Sequence, residues 1–353
     1  MCVDTRMLVR WAAVLACSLS VVLAAGCGGS QPQQEAPAAA PPAPAAPTAA
    51  ERAAWYQDCW AQFNNKAWDA FKACYADAVE SDQVDSGRPP VTGLDAVVAT
   101  HKAFADAFPD VKGTGELILV NRDTILSIYM LNGTHSGPLA GPGGQSIPAT
   151  GKSIGFLQAH LLQTDASGKK VSKEEFYSDS GTMMAQLGLS PNPARPAATS
   201  AAAAPAVVVA AGTPAELSNV DAARAQLAAF NSHDAKAAAA FNAPDVLLRE
   251  VAAPKDMTSA ESLAGTMDMF TAFPDAKIVT SSVWGAGDYV VVAGRFEGTN
   301  SGPFAAMGIK KATGKPVAVR FVEITKWQGG KVKEDWLFYD GMAMAGQLGM
   351  LKK

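Results

Sequence analysis

The spacing of apolar residues changes period along the chain, and then the whole pattern starts again. Trp55, Cys59, Trp60 and Phe63 recur at helical spacing, which predicts an amphipathic helix. Two further helices are predicted by the same spacing, one over Trp68, Phe71 and Tyr75 and one over Leu94, Val98, His101, Ala105 and Phe108. After Pro109 the period moves toward two, which predicts strands at 116–120, 124–131, 153–163 and 171–177.

The second half of the chain repeats this order. Ala107-Phe108-Pro109-Asp110 recurs 165 residues later, and so does the segment 133–138 with one change, Asn300 in place of His135. Two later segments, Tyr177-Ser178-Asp179 and Gln186-Leu187-Gly188, recur 161 residues later, the first as Phe338-Tyr339-Asp340. Constant offsets interrupted by one short deletion indicate a duplicated domain.

Helices followed by an antiparallel meander predict an α+β fold. We expect two tandem cone-shaped α+β barrel domains, each with three N-terminal helices packed on a curved, mostly antiparallel sheet. The copies are predicted at 51–190 and 214–353. The segments 28–50 and 191–213 are rich in Pro and Ala, and they are predicted to be flexible linkers.

The first residues form a targeting segment. Arg6 and Arg10 precede an apolar run from Trp11 to Ala25, and small residues lead into Cys27. This pattern resembles a bacterial lipobox and predicts a signal peptide at 1–27 that ends at a lipidated Cys27. The resemblance implies a membrane anchor in the cell envelope, on the periplasmic side of the outer membrane in a Gram-negative cell. Simple cleavage of a signal peptide is the alternative.

Composition excludes several classes of function. The net charge is −4 and the pI is about 5.6, with no basic stripe, so nucleic acid is not an expected partner. No cluster has zinc-ligand spacing, no glycine loop fits a phosphate, and no Gly-x-Ser-x-Gly elbow is present. We therefore expect no metal and no organic cofactor.

Removal of the signal peptide leaves three cysteines. If Cys27 carries lipid, Cys59 and Cys74 form an even pair in an oxidising compartment. The sequence predicts a disulfide between them, closing a loop of about 15 residues and contributing about 3 kcal/mol. Two buried free thiols are the alternative.

Four motifs recur in order in both copies: the Phe-Pro-Asp, the Gly-Thr-His/Asn-Ser-Gly-Pro segment, a glycine turn before the last strand, and a terminal Asp followed by Gln-Leu-Gly. With them the chain resembles the SnoaL-like polyketide and ester cyclases of the ketosteroid-isomerase-like superfamily. The resemblance implies cofactor-free acid/base chemistry by an Asp near the end of the final strand. Asp179 and Asp340 match that position, although either could instead cap a short helix.

Other polar residues are expected near the cones. The resemblance points His135 toward the pocket as an assistant to Asp179, with a turn residue satisfied by backbone as the alternative, and places Asn300 at the same position in the second copy. Alternation puts Gln158 and His160 on one face of a strand, where they are predicted to line the cone and bind a ligand. His101 is interpreted as a core histidine.

Three functions remain open at this stage. The first is a cyclase-type or isomerase-type enzyme that acts on a small apolar carbonyl compound with Asp179, His135 and Asp340. The second is a lipid-anchored module that binds such a molecule without changing it. The third is an interaction protein in which the two copies form an intramolecular pseudo-dimer. Whether either copy is catalytic is not decided by the sequence.

Overall fold

The computed structural model describes residues 46–141, 145–191 and 193–351. The signal peptide, Cys27 and most of the first predicted linker lie outside these ranges. Among the helices within them, none combines the length and apolar character needed to cross a bilayer.

The first copy contains four helices and a curved sheet. Its elements are α1 (Ala49–Asn64), α2 (Trp68–Lys72), β1 (Tyr75–Gln83), β2 (Val91–Thr92), α3 (Leu94–Ala107), β3 (Lys112–Asn121), β4 (Thr124–Thr134), β5 (Leu139–Ala140), β6 (Ser146–Ile147), β7 (Ser153–Thr164), β8 (Val171–Tyr177) and α4 (Ser180–Gln186). The main sheet has the order β2-β1-β8-β7-β4-β3, and β1 runs parallel to β8.

The second copy repeats this order after an added strand, β9 (Ala206–Val209). Its elements are α5 (Pro214–Asn231), α6 (Ala235–Ala239), β10 (Asn242–Glu250), α7 (Ser259–Ala272), β11 (Lys277–Ala286), β12 (Tyr289–Thr299), β13 (Pro316–Gln328), β14 (Lys331–Tyr339) and α8 (Gly341–Gln347). The sheet order is β10-β14-β13-β12-β11, again with one parallel pair, β10 and β14. The predicted α+β class, with mostly antiparallel curved sheets, is confirmed.

The long first helices begin at sequence-encoded caps. Thr48 and Glu51 form a capping box at α1, and Thr213 and Glu216 form another at α5. Each box satisfies backbone N–H groups that have no partner within the helix. The helices then lie across the concave faces of the sheets and close each cone.

One predicted element is wrong in both copies, because a strand separates the second and third helices. Tyr75 has helical spacing from Trp68 and Phe71, yet α2 ends at Lys72 and Tyr75 begins β1. The strand carries several charged residues, and it forms because it pairs alongside β8. The equivalent strand, β10, pairs alongside β14.

The second predicted linker is also ordered in part. Ala206–Val209 pairs in parallel with Leu117–Val120 and covers the outer edge of β3. Composition alone suggested a flexible linker, but three consecutive valines suit a strand and find an unpaired edge. The prediction that 191–213 is flexible is therefore wrong for this strand.

The two sheets pack against each other by their convex faces. Leu119, Leu126 and Ile128 of the first copy belong to one buried cluster with Val322 and Ile324 of the second. At its margin Arg320 pairs with Asp82 at 2.7 Å and with Asp85 at 3.1 Å. The cones therefore sit back to back, with separate interiors.

Candidate functional site

The two aspartates predicted to be catalytic lie between the copies rather than inside a cone. Asp179 caps α4, since its Oδ2 accepts from the backbone N of Thr182 at 2.6 Å. Its Oδ1 accepts from the backbone N of Gly341, the first residue of α8, at 3.0 Å. The predicted pocket position of Asp179 is therefore wrong, and its two oxygens join the copies.

Asp340 makes the reciprocal contacts. Its Oδ1 accepts from the backbone N atoms of Met342 and Ala343 at 2.8 and 3.2 Å, and its Oδ2 accepts from Ser180 Oγ at 2.6 Å. Burial raises the pKa of Asp340 to about 6, with a further rise from the charge of Asp179. As with Asp179, the capping alternative is the one that the structure supports.

His135 and Asn300 fasten equivalent loops. His135 Nδ1 accepts from the backbone N of Thr150 at 3.2 Å, and its ring stacks on Phe108. Asn300 Oδ1 accepts from the backbone N of Thr313 at 2.7 Å. His135 is buried but does not line the cavity described next, so its predicted role beside Asp179 is wrong.

The first cone encloses a cavity of about 20 Å³, which is room for about one water molecule. Its wall is mostly aromatic and includes both cysteines, which the structure joins in a disulfide. The polar groups on the wall come from Tyr56 on α1, Tyr75 on β1, His101 on α3 and His160 on β7. Four separate elements therefore bring hydrogen-bonding side chains to one small apolar space.

Glu174 lies behind this wall and connects its polar groups. Its side chain is fully buried, and Oε2 accepts from the Tyr75 hydroxyl at 3.1 Å. His101 Nε2 lies 3.0 Å from Oε1. His160 Nε2 lies 3.2 Å from Oε2, within ion-pair distance although not aligned for a hydrogen bond. One carboxylate therefore serves two histidines and a tyrosine.

A second hydrogen bond fixes His160 from the other side. The Tyr56 hydroxyl lies 2.9 Å from Nδ1, and the imidazole stacks on Phe176 with ring centres 4.3 Å apart. Since Glu174 adjoins Nε2, the proton of a neutral imidazole is favoured there, and Nδ1 accepts from Tyr56. The result is a chain from the Tyr56 hydroxyl through His160 to Glu174.

The charges in this chain follow from burial and pairing. Burial acts to raise the pKa of Glu174, but His101 and His160 outweigh it and hold that pKa below its usual value. Burial lowers the pKa of His160 in spite of Glu174. Burial also raises the pKa of Tyr56 and Tyr75. Near neutral pH the cluster therefore holds an anionic Glu174, a neutral His160 and two protonated tyrosines.

Gln158 lies on the same face of β7 as His160, as alternation predicted, but it does not line the cavity. Its Oε1 accepts from the Tyr129 hydroxyl, and its Nε2 donates to Ser178 Oγ at 3.1 Å. A ligand would have to displace these partners. Gln158 therefore supports the cone interior, whereas the predicted position of His160 on the cavity wall agrees with the structure.

The sequence interpretation missed Glu174 and left His101 as an ordinary core residue. Glu174 stands in the run Lys173-Glu174-Glu175, which is typical of a solvated strand face. The available signal was alternation, because Glu174 falls on the same face as Phe176. Its partner His101 lies 73 residues earlier, so spacing could not connect them.

The second cone has none of these histidines. Register equates His160 with Glu323, because His160 pairs with Phe176 as Glu323 pairs with Leu337. The same register equates Glu174 with Asp335, and the constant shift equates His101 with Thr266. Within the described ranges, no three His, Cys, Asp or Glu side chains come together as metal ligands would.

Comparison with known proteins gives a family. The family model for SnoaL-like polyketide cyclases matches residues 50–187 and again 220–348. No curated protein matches the chain.

Solved structures with similar folds each cover about one copy. AclR, a candidate hydroxylase from Streptomyces galilaeus, is 24% identical, covers 39% of this chain and 85% of its own, and gives a TM-score of 0.36. A candidate SnoaL-like polyketide cyclase from Jannaschia sp. CCS1 is 22% identical, covers 40% and 97%, and gives 0.36. IdmH, a candidate polyketide cyclase from Streptomyces antibioticus, is 24% identical, covers 37% and 98%, and gives 0.32.

Proposed function

Because the chain belongs to the SnoaL-like polyketide cyclase family through both of its halves, we propose that its first domain binds a small apolar carbonyl compound and transfers a proton on it without a cofactor. The observation that carries the proposal is the fully buried Glu174 with His101, His160 and two tyrosines at an apolar cavity. Ionisable groups in such a setting are typical of functional sites.

The duplicated domain argues that this cluster serves more than folding. The second copy has the same sheet order and the same helices, with Glu323, Asp335 and Thr266 in place of His160, Glu174 and His101. The fold therefore forms without the histidines. Buried ion pairs contribute little net stability, so stability alone does not explain their presence in the first copy.

His160 is the group to which we assign the proton transfer. When a carbonyl compound enters, the Tyr56 hydroxyl turns toward its oxygen and frees Nδ1. The proton of the neighbouring carbon passes to Nδ1, and the electron pair of the C–H bond moves to give an enolate. Tyr56 stabilises the enolate oxygen by a hydrogen bond, and Glu174 stabilises the protonated imidazole. The proton returns to carbon or oxygen in the second half of the reaction.

The walls define the class of substrate. Phe63, Phe71 and Phe176 surround the polar groups, so most of the bound molecule must be apolar. The cavity holds about one water, and entry of a substrate requires wall side chains to move. Trp60 on α1 and His101 on α3 are the partly exposed members of the wall and adjoin this entry.

We also propose that the mature protein is attached to the cell envelope through Cys27, which lies outside the described ranges. The support is the run of small residues before Cys27 and the disulfide between Cys59 and Cys74, which suits an oxidising compartment. Mass spectrometry of the membrane fraction tests this: a diacylglyceryl mass on Cys27 is expected. An unmodified mature chain that Cys27→Ser leaves in the same fraction contradicts it.

Proton transfer is tested without knowing the natural substrate. The purified protein is incubated with cyclopentanone in D2O, and loss of the α-proton signal is followed by NMR. We expect exchange above the buffer rate, with His160→Gln lowering the enzymatic rate by about 10²-fold or more. Glu323→Gln, at the equivalent position of the second copy, is the matched control and is expected to keep the rate.

Two outcomes contradict the assignment. In the first, His160→Gln folds with its disulfide intact and exchanges at the wild-type rate. In the second, cyclopentanone binds and causes chemical shift changes around the first cone, but no exchange occurs; this outcome favours a binding module without turnover.

A further inference from the structure

The interior of the second cone is acidic where the first contains histidines. Glu323 lies on the face of β13 that also carries Phe321 and Trp327, and both of these rings belong to the buried cluster inside the cone. Asp335 lies on the face of β14 that also carries Leu337 and Tyr339, which pack against the same cluster. Both carboxyl groups therefore face the interior.

These two carboxyl groups have no cationic partner. None of the ion pairs within the described ranges involves Glu323 or Asp335. The nearby cations Arg195 and Arg249 both pair with Asp256, at 2.6 and 3.2 Å. The second cone thus holds acidic groups whose charge nothing in the described chain balances.

One oxygen has no partner of any kind. Asp335 Oδ1 is shielded from solvent and makes no hydrogen bond. Buried carboxylate oxygens without partners are rare, because losing water without a replacement costs about 1–3 kcal/mol or more. Burial and the charges of Glu323 and Glu250 accordingly raise the pKa of Asp335, and burial raises that of Glu323 to about 7.

The surroundings suit an organic cation better than a bare ion. Trp327, Phe321 and Phe241 provide aromatic surface inside this cone, and aromatic faces attract ammonium groups. The covering helix is also looser than its counterpart. Only Ala272 is buried in α7, whereas α3 buries Val97, Ala105 and Ala107.

We propose that the second cone is a binding site for a small organic cation of the ammonium class, held between Glu323 and Asp335 against the aromatic wall. The proposal does not depend on proton transfer in the first cone. It gives the two copies different ligands, one apolar with a carbonyl group and one positively charged.

Calorimetric titration of the purified full-length mature protein tests the proposal with methylammonium and choline as probes. We expect saturable binding of at least one of them with one site per chain, and no binding of 3,3-dimethylbutan-1-ol, the uncharged counterpart of choline. Asp335→Asn and Glu323→Gln are each expected to weaken binding by about tenfold or more. His160→Gln is the matched control in the first cone and is expected to bind the cation as the wild type does.

Several results would overturn it. They are no binding of either probe, equal binding of the uncharged alcohol, unchanged affinity in both carboxamide variants, or displacement of choline by an equal concentration of potassium ions. Each of these leaves the ketone exchange experiment unaffected, so the two proposals fail separately.

Discussion

Replacing Asp340 with Asn separates the role of this residue as an interdomain cap from a role in acid/base chemistry. The side chain is 3% exposed and holds α8 of the second copy against Ser180 of the first. Asn keeps an oxygen for the backbone N–H groups of Met342 and Ala343 and is itself a good N-cap. The variant therefore removes the titration and the charge while it preserves the cap.

The magnitude follows from the pKa. Burial and the neighbouring charge of Asp179 raise the pKa of Asp340 from 3.8 to about 6. A shift of about two units corresponds to about 3 kcal/mol between the two protonation states. Because the folded-state pKa is raised, the stabilising contribution is complete below pH 3.8 and is lost as the pH rises through about 6.

Urea unfolding at a series of pH values from 4 to 8 measures the effect. The free energy of unfolding of the wild type, minus that of Asp340→Asn, should fall by about 3 kcal/mol between the ends of this range. Asp234→Asn, at an exposed helix cap that bonds only within its own copy, is the control. A difference for Asp340→Asn that stays flat within about 0.5 kcal/mol refutes the reasoning.

Three further predictions concern stability. Glu174→Gln removes the anion that faces His101 and His160, so the free energy of unfolding at pH 7 should fall by about 3 kcal/mol, and an unchanged urea midpoint would contradict the network. Changing both Cys59 and Cys74 to Ala opens a 15-residue loop and should lower stability by about 3 kcal/mol; equal midpoints with and without reductant in the wild type would argue against the bond. Val208→Asp should detach β9 from β3, with a loss of about 2 kcal/mol and new proteolytic cleavage near 206–209; cleavage equal to that of the wild type would count against this strand pairing.

Periodicity and internal repetition carried most of the fold. The repeated motifs located two copies of one domain, and changes of period located most of the helices and strands. They failed at Tyr75–Gln83 because that strand pairs with β8, about 90 residues further along the chain, and it carries charged residues that alternation alone does not explain. They failed at Ala206–Val209 because the free edge of β3 exists only after folding.

The candidate site was less accessible from sequence. His160 was placed correctly because alternation is a local property of β7. Glu174 was missed because only contact with His101 and Tyr75 distinguishes it from the adjacent Glu175. Asp179 was misplaced because its second partner, Gly341, comes from the other copy, and one copy read alone shows only an Asp after a strand.

The central claim is that the buried cluster around His160, and not the aspartates between the copies, performs the chemistry of this protein. Deuterium exchange into cyclopentanone, measured side by side for His160→Gln and Asp179→Asn, tests it most directly. We predict that His160→Gln abolishes protein-catalysed exchange and that Asp179→Asn retains it. Loss of exchange in Asp179→Asn, with full activity in a folded His160→Gln, would contradict the claim.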